Sequence, residues 1–168
     1  MRLTPPDAGC RVFTYKEGLL SAVAHDLAID VARFSVEIDP VARTVAAELD
    51  ATSLRVASAL VDGKATDSLS AHDRATIERA IADEVLETRR FPIIRFAGRA
   101  DERAIDGTLD LHGVRRTLRV PFVTDGNFWV ATATLHQPDF KIRPYRAFLG
   151  TLRVRAEVKV VVRIPVVE

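Results

Sequence analysis

The clearest pattern in this sequence is an alternation of apolar and polar residues near its C-terminal end. From position 152 to 164 every second residue is apolar, and the residues between them are mostly Arg, Lys or Glu. Successive side chains of a β-strand point to opposite faces, so this period of two predicts one long strand with an apolar and a polar face. Pro165 ends the strand, because proline cannot donate a hydrogen bond to a β-ladder.

A second long run, residues 27–39, changes phase in its middle. Its apolar residues fall into two opposite phases, first Leu27, Ile29 and Val31, then Phe34, Val36 and Ile38. One strand can keep both sets on the same face only if it contains an extra residue or a bend. We therefore predict a β-bulge or sharp bend at Ala32-Arg33, a feature that lets a sheet curl into a closed barrel.

Six further segments have strand-like patterns: residues 11–16, 44–56, 94–99, 105–112, 116–123 and 128–136. The sequence Thr124-Asp125-Gly126-Asn127 predicts a hairpin turn, because Asp-Gly tolerates the positive φ angles of tight turns. Together with the two long runs, these segments give eight strands. Most of them follow one another through short turns, which favours an antiparallel sheet.

One segment has a helical pattern instead. Ser70 and Asp73 match the capping box that begins a helix, and Ile77, Ile81 and Val85 recur at helical spacing. Pro92 prevents the helix from continuing. We predict one amphipathic helix at about residues 71–90, preceded by an exposed loop over residues 58–70.

These elements predict an all-β fold, a closed eight-stranded antiparallel barrel with the helix covering it. The length of 168 residues fits a single domain, 1–168, in which residues 1–10 are expected to be loosely ordered. A barrel of this size is either filled by its own side chains or hollow enough for one small ligand. The periodicity does not decide between a filled and a hollow interior.

Charge and cysteine content narrow the classes of partner. The chain has 24 Lys and Arg against 23 Asp and Glu, and this near-neutral balance argues against a nucleic-acid partner bound through its phosphates. Cys10 is the only cysteine, so no disulfide forms within the chain. No apolar run is long enough to span a membrane, and the first residues lack the apolar segment of a signal peptide. We expect a cytoplasmic protein.

The sequence contains no pattern typical of a catalytic or metal site. The four histidines lack the spacing of metal ligands, so neither a metal nor a cofactor is predicted. His25-Asp26 is the only acid–base doublet, and adjacent strand residues point to opposite faces. We expect no catalytic residue and a protein that is not an enzyme.

The apolar residues in the inward phase are the main candidates for a binding site, and several inward positions are small enough to leave volume. The predicted tunnel-lining residues are Leu27, Ile29, Phe34, Val36, Phe96, Leu109, Leu111, Leu118, Val120, Phe122, Trp129, Ala131, Phe140, Leu152 and Val154. Arg115, Arg143 and Arg146 are candidates for contacts with an anionic head group, since guanidinium groups suit phosphate. The alternative for these arginines is a solvated loop paired with carboxylates such as Asp139.

Four blocks of sequence, in this order, resemble the YceI-like family of lipocalin-like, polyisoprenoid-binding barrel proteins. They are LDATSL at 49–54, DEVLETRRFPIIRF at 83–96, GTLDLHGVRR at 107–116 and PDFKIRP at 138–144. The family usually has glycine where this chain has Lys141. The resemblance implies an apolar tunnel for an isoprenoid or fatty amphiphile, and it does not imply an enzyme.

The sequence is also compatible with two other functions. The first is a small-molecule enzyme that uses the same cavity with His25 or Asp26 as acid or base. The second is a ligand-free interaction or stress-response module with a filled core. The sequence also leaves open the identity of the ligand and the oligomeric state, a homodimer included.

Overall fold

The computed structural model describes residues 1–18, 25–147, 150 and 152–166. These residues form an all-β fold with one α-helix, as predicted. The strands are β1 (Arg2–Leu3), β2 (Gly9–Thr14), β3 (Lys16–Glu17), β4 (Asp26–Val31), β5 (Phe34–Asp39), β6 (Thr44–Asp50), β7 (Leu54–Val61), β8 (Lys64–Thr66), β9 (Ile93–Ala100), β10 (Ala104–Leu111), β11 (Val114–Asp125), β12 (Phe128–His136), β13 (Arg146–Ala147), β14 (Leu152–Val154) and β15 (Glu157–Pro165).

Twelve of these strands form one antiparallel sheet in the order β1-β5-β6-β9-β10-β11-β12-β15-β2-β4-β7-β8. The other three form a small sheet in the order β13-β14-β3. The prediction of a closed eight-stranded barrel is wrong, because the large sheet keeps two edges, β1 and β8. The architecture is a curled, open half-barrel.

The curl follows from the bend in the long N-terminal run. The chain turns at Ala32-Arg33, as predicted, and divides the run into β4 and β5. These two strands are consecutive in the chain, yet seven strands separate them in the sheet order. A two-residue connection can join them only if the sheet curls enough to bring the end of β4 near the start of β5, although these two strands do not pair.

Hydrogen bonds hold the corner between β4 and β5. The Ala32 N–H donates to the Ser53 carbonyl at 2.9 Å. The fully buried Ser53 hydroxyl accepts from the Arg33 N–H at 2.9 Å and donates to the Asp50 carbonyl at 2.8 Å. The Arg33 guanidinium also lies 2.8 Å from the Asp50 carboxylate. Residues 50–53 therefore tie the bend to the connection between β6 and β7.

The predicted strand over residues 152–164 is divided in the structure. Gln137 occupies the break: its backbone N–H donates to the Ala156 carbonyl at 2.8 Å, and its side-chain amide donates to the Arg155 carbonyl at 3.0 Å. Because these carbonyls are used by Gln137, the ladder does not continue through them. β14 joins the small sheet, and β15 stays in the large one.

Two other predicted boundaries change. The run 44–56 is interrupted by a short 3-10 turn at Ala51–Ser53. The predicted loop 58–70 instead contains the end of β7 and the whole of β8, joined at Asp62-Gly63. Both turn residues have positive φ, 51° and 76°, as one class of tight hairpin turn requires. The predicted hairpin at residues 124–127 also forms, but its loop residues are Gly126 and Asn127, of which only Gly126 has positive φ, 58°.

The helix is shorter than the predicted span 71–90. α1 covers Ala71–Ala80, begins with the predicted capping box of Ser70 and Asp73, and continues as a π-helical turn over Ile81–Val85. The Leu86 N–H donates to the Ile81 carbonyl at 2.8 Å, and the positive φ of Glu87, 47°, ends the helix there.

The helix lies against β7 and satisfies backbone groups there. The Arg74 guanidinium donates to the carbonyls of Val56 and Ala57, and the Glu78 carboxylate accepts from the Val56 N–H at 2.9 Å. These backbone groups lie beside the point where the register between β4 and β7 shifts. The helix thus covers a stretch of sheet edge that would otherwise present unpaired groups to other chains.

The first ten residues, for which loose order is expected from the sequence, pair with the large sheet in the structure. β1 pairs with β5, and the amino group of Met1 donates to the Ile38 carbonyl at 2.7 Å. Ala8 and Cys10 are buried in a cluster with Phe34. The apolar side chains of this segment complete the core at one end of the curled sheet, and their burial fixes the segment.

Candidate functional site

The inner face of the curled sheet encloses an apolar cavity, called the central cavity below. Its volume is about 240 Å³, measured as space open to the centres of water molecules. Among the described residues, no Asp, Glu, Lys or Arg side chain belongs to its wall. A concave, almost wholly apolar cavity of this size suits the hydrocarbon part of a small molecule.

The central cavity is elongated along the strands. On β12 the wall begins at Ala131, continues through Ala133 and Leu135, and ends at Gln137 just after the strand. These positions span six residue steps, which at about 3.3 Å per residue is about 20 Å. The shape therefore fits an extended chain better than a compact ring system.

Many of the sequence-predicted tunnel residues lie in this wall. They are Ile29, Val36, Phe96, Leu109, Leu111, Leu118, Val120, Ala131 and Phe140. The alternation of each strand places them on the inner face, and the curl of the sheet brings strands that are distant in sequence around one space. Their role in binding a ligand stays a prediction.

Five predicted tunnel residues lie outside the wall: Leu27, Phe34, Phe122, Trp129 and Val154. Phe34 is buried in the packed cluster at one end of the sheet. Phe122 pairs with Ala131, the wall residue at the end of the cavity. Trp129 lies two residues before Ala131 on β12, beyond that end. Val154 leaves the large sheet with β14, and Leu27 pairs with Thr14, the last wall residue of β2. The side chain of Leu152 lies outside the described residues.

The wall also contains residues that were not among the predicted contacts. Several follow the same strand alternation and could have been found from it, namely Val12, Val45, Leu49, Ile94, Ala133, Leu135, Val158, Val160, Val162 and Ile164. Ile81, Val85 and Leu86 come from the π-helical turn. Leu86 is off the 3.6-residue stripe, but an i→i+5 turn places it beside Ile81, so no α-helical pattern could reveal it.

Small side chains contribute to the open volume. Ala47, Ala131 and Ala133 lie in the wall, where larger residues would fill the space. The inward glycines do not leave empty space in the same way. A Cβ atom at Gly107 would collide with the ring of Phe96, so the ring already occupies that position.

The only thiol of the chain lies in the cavity wall. Cys10 is buried, and burial, followed by the nearby charge of Asp30, raises the pKa of its thiol to about 12. Only a thiolate is a strong nucleophile, so at neutral pH this thiol behaves as a small apolar group. It therefore suits the lining of an apolar site.

The three arginines predicted to meet an anionic head group lie outside the cavity wall. Arg115 is exposed and pairs with Asp110 at 3.3 Å. Arg143 and Arg146 are also exposed. These positions keep the three guanidinium groups out of the described wall, and their contact with a head group stays a prediction.

The His25-Asp26 doublet also lies outside the wall. The Asp26 carboxylate accepts from the Lys16 N–H at 2.8 Å and so joins the start of β4 to β3. This contact accounts for Asp26 structurally. Within the described residues, no three His, Cys, Asp or Glu side chains come together as a metal site.

His112 links three segments at one end of the central cavity. Its Nε2 lies 2.7 Å from a Glu87 carboxylate oxygen, and its Nδ1 lies 3.1 Å from the Phe140 carbonyl. The ring also packs against Phe91, with 4.5 Å between the ring centroids and the two planes tilted by 52°. The segments that it joins carry Leu86, Leu111 and Phe140 of the wall, so His112 fixes this end of the site.

Lys141 ends the 3-10 turn that carries Phe140. Its φ is 55°, a left-handed conformation that glycine adopts without strain. This is the position where the resembling family usually has glycine. The turn keeps its shape here because two backbone carbonyls, those of Gln137 and Pro138, accept from the Lys141 N–H.

Fold and cavity together define a curled β-sheet protein with an apolar site on the inner face of its sheet. The profile of the YceI-like domain matches residues 11–166, and the chain belongs to this family. The resemblance seen in the four sequence blocks is thereby confirmed. No curated protein matches the chain.

Solved structures show the same fold. The crystal structure of BcnA from Burkholderia cenocepacia has a TM-score of 0.62 at 15% identity and covers 93% of this chain and 94% of BcnA. A polyisoprenoid-binding domain from Saccharophagus degradans, implicated in plant cell wall breakdown, has a TM-score of 0.62 at 12% identity and covers 98% of both chains. In the described part of the chain, no helix is both long and apolar enough to cross a membrane.

Proposed function

We propose that this protein binds a lipophilic isoprenoid or another long-chain amphiphile in the central cavity, without chemical change to the ligand. The observation that carries the proposal is the elongated cavity, whose described wall holds no charged side chain. Membership of the YceI-like family supports it, and the likeness to a polyisoprenoid-binding domain is in agreement.

Burial of the hydrocarbon tail supplies the binding free energy. Each CH2 group removed from water contributes about 0.8 kcal/mol, so a tail of roughly ten methylenes would contribute about 8 kcal/mol before the cost of association. Affinity should therefore rise with tail length until the cavity is filled. Branching and unsaturation should matter less, because dispersion contacts with Val, Leu and Ile side chains are not directional.

The π-helical turn and the 3-10 turn after β12 are the parts of the wall that are not sheet. Ile81 and Leu86 come from the first, and Phe140 and Ile142 come from the second. A turn or loop opens locally at a lower free-energy cost than a paired strand. We place the entrance for the ligand between these two segments.

Of the two alternatives, a filled core is disfavoured by the cavity itself. An enzyme would need a reactive group that faces the ligand. Within the described wall, Cys10 carries the side chain that would be the best nucleophile if it lost its proton. Its raised pKa of about 12 keeps the thiol protonated at neutral pH. We therefore propose a binding protein rather than an enzyme.

Calorimetric titration tests the proposal. The chain is titrated with geranylgeraniol and with saturated alcohols of increasing length, each kept below its solubility limit. The proposal expects one ligand per chain and an affinity that rises about three- to fourfold for each added CH2 group. Heats no larger than those of buffer dilution for every alcohol would overturn it.

A further inference from the structure

The ring of His112 connects the two segments between which we place the entrance. His112 and Gly113 form the turn between β10 and β11, and both have the positive φ of a tight hairpin turn, 54° and 72°. From this turn the ring reaches Glu87, just after the π-helical turn, and the carbonyl of Phe140 in the 3-10 turn. The contacts among Glu87, His112 and Phe140 are called the His112 bridge below.

Both nitrogens of the His112 ring face oxygen atoms that accept hydrogen bonds. Nε2 lies 2.7 Å from the Glu87 carboxylate and Nδ1 lies 3.1 Å from the Phe140 carbonyl. The pKa of Glu87 is held below its ordinary value of 4.5, so at neutral pH this carboxylate is ionised and can only accept. A neutral imidazole has one N–H and satisfies one of the two oxygens. Only a ring with a proton on each nitrogen satisfies both.

We propose that the His112 bridge holds the entrance closed while the ring carries both protons, and that loss of one proton at higher pH releases it. This inference rests on the proposed function. A deprotonated nitrogen presents a lone pair to an oxygen atom, so its contact changes from attractive to repulsive. The carboxylate of Glu87 is the stronger acceptor and retains the remaining N–H. The contact with Phe140 is therefore the one that is lost.

The charges around the ring oppose one another. Only 7% of the His112 side chain is exposed, and within the described chain Glu87 is its one carboxylate within 4 Å. Arg90 donates to the other oxygen of Glu87 at 3.2 Å and lies over Phe91, the ring that packs on His112. Glu87 thus favours the doubly protonated ring, whereas burial and Arg90 oppose it.

The other titratable groups on the packed segments are more exposed to solvent. They are Asp83, Glu84, Arg89, Asp110, Arg115, Arg116, His136, Asp139 and Lys141. All of them are exposed except Asp110, which is partly exposed and pairs with Arg115. Solvent screens such charges, so the protonation of His112 depends mainly on Glu87, Arg90 and its own burial.

Release of the bridge would change how fast a ligand enters and leaves. The 3-10 turn carries Phe140 and Ile142 of the cavity wall, and the contact with His112 ties this turn to the segment after the π-helical turn. Without that contact the turn opens at a lower free-energy cost. The protein would therefore retain its ligand at lower pH and exchange it faster at higher pH.

The rate at which a bound prenol leaves the protein tests this inference. The full chain is loaded with tritiated geranylgeraniol, which carries no charge, and is diluted into excess phosphatidylcholine vesicles that take up the released prenol. We expect transfer to be about tenfold faster at about pH 9 than at about pH 6, the effect of losing one charge-assisted hydrogen bond. Equal rates at every pH would overturn this inference and leave the proposed function standing. Failure of the chain to take up the prenol at any pH would overturn both.

Two variants assign the pH dependence to His112. In Glu87→Gln the introduced amide can donate to an unprotonated Nε2, so the proton on Nδ1 stays with the Phe140 carbonyl at every pH. The transfer rate of this variant should therefore not change with pH. The control His136→Gln replaces an exposed histidine at the start of the same 3-10 turn and should keep the pH dependence. An unaltered pH dependence in Glu87→Gln would contradict the assignment.

Nitrogen NMR of the histidine rings tests the protonation without any ligand. In the unmodified chain we expect protons on both ring nitrogens of His112 at about pH 6 and on one of them at about pH 9. A ring with a single proton at about pH 6 would overturn the proposal. This measurement and the transfer rates of the unmodified chain decide the question even if Glu87→Gln does not fold.

Discussion

The ring of Phe96 fills the space beside Gly107 that a larger residue would need for its Cβ atom. A Cβ built on Gly107 would lie 2.7 Å from Cε2 of Phe96 and 2.6 Å from the Ala97 carbonyl oxygen. Phe96 belongs to the wall of the central cavity. Because it rests in the gap above Gly107, its ring is kept against the sheet and away from the middle of the cavity.

Gly107→Ala should therefore destabilise the protein by about 1–3 kcal/mol, the usual cost of overpacking. The ring can move, but the Ala97 carbonyl is backbone and cannot. Urea unfolding measures the loss. The matched control is Gly9→Ala in β2, where a Cβ would meet nothing within 4 Å. Equal stability of the two variants would refute the role given to this contact.

Ser53→Ala should loosen the corner between β4 and β5. The substitution leaves the Arg33 N–H without the acceptor that it has at 2.9 Å. A lost acceptor at a buried site costs about 1–3 kcal/mol, which thermal and urea unfolding would detect. Ser68→Ala, at an exposed position, is the control and should change stability little. A Ser53→Ala protein as stable as that control would contradict this view of the corner.

The contact between Glu87 and His112 makes the free energy of unfolding depend on pH. The hydrogen bond from His112, and after it that from Arg90, holds the pKa of Glu87 below its ordinary value of 4.5. A lowered pKa in the folded state stabilises the protein above pH 4.5, and this contribution is lost as the pH falls through the lowered value.

Glu87→Gln should thus be less stable than the unmodified protein at pH 7, and the gap should close under acid conditions. Unfolding free energies measured from about pH 7 down to about pH 3 would show the two curves converging. Glu84→Gln, on the π-helical turn just before Glu87, serves as the control because the Glu84 side chain is exposed. A constant gap at every pH would mean that the carboxylate charge is not what Glu87 contributes.

Ala131→Trp should block the central cavity and prevent binding of long-chain alcohols. Ala131 lies in the wall, so an indole there would occupy the space of the tail. Thr134→Trp, on the exposed face of the same strand, adds the same side chain outside and should bind normally. Calorimetric titration compares the two, and normal binding by a folded Ala131→Trp protein would show that the ligand lies elsewhere.

Much of the fold follows from strand periodicity. The phase change at residues 27–39 predicts the bend because a period-two pattern cannot reverse without one. The division of residues 152–164 could not be predicted, because it depends on Gln137, which is distant in sequence and takes the carbonyls of the break. The prediction of a closed barrel was wrong for a related reason. The alternation shows which face of a strand is apolar, but it does not show which strands pair at the edges of the sheet.

The site is predictable where one strand face defines it and unpredictable where a turn does. Ala131 and Phe96 follow from alternation alone. Leu86 does not, because only the i→i+5 turn brings it to the inner face. Gln137 is polar and follows the end of a strand, so hydrophobic periodicity gives no reason to place it in an apolar wall.

Organic extraction of the purified protein followed by mass spectrometry, after saturation with geranylgeraniol and removal of free ligand, shows directly whether the central cavity holds a long-chain molecule. We expect about one molecule of the prenol, or of another long-chain amphiphile already in place, per folded chain. We expect almost none from the Ala131→Trp protein. Extracts that contain no such molecule, or equal amounts from both proteins, would contradict the proposed function.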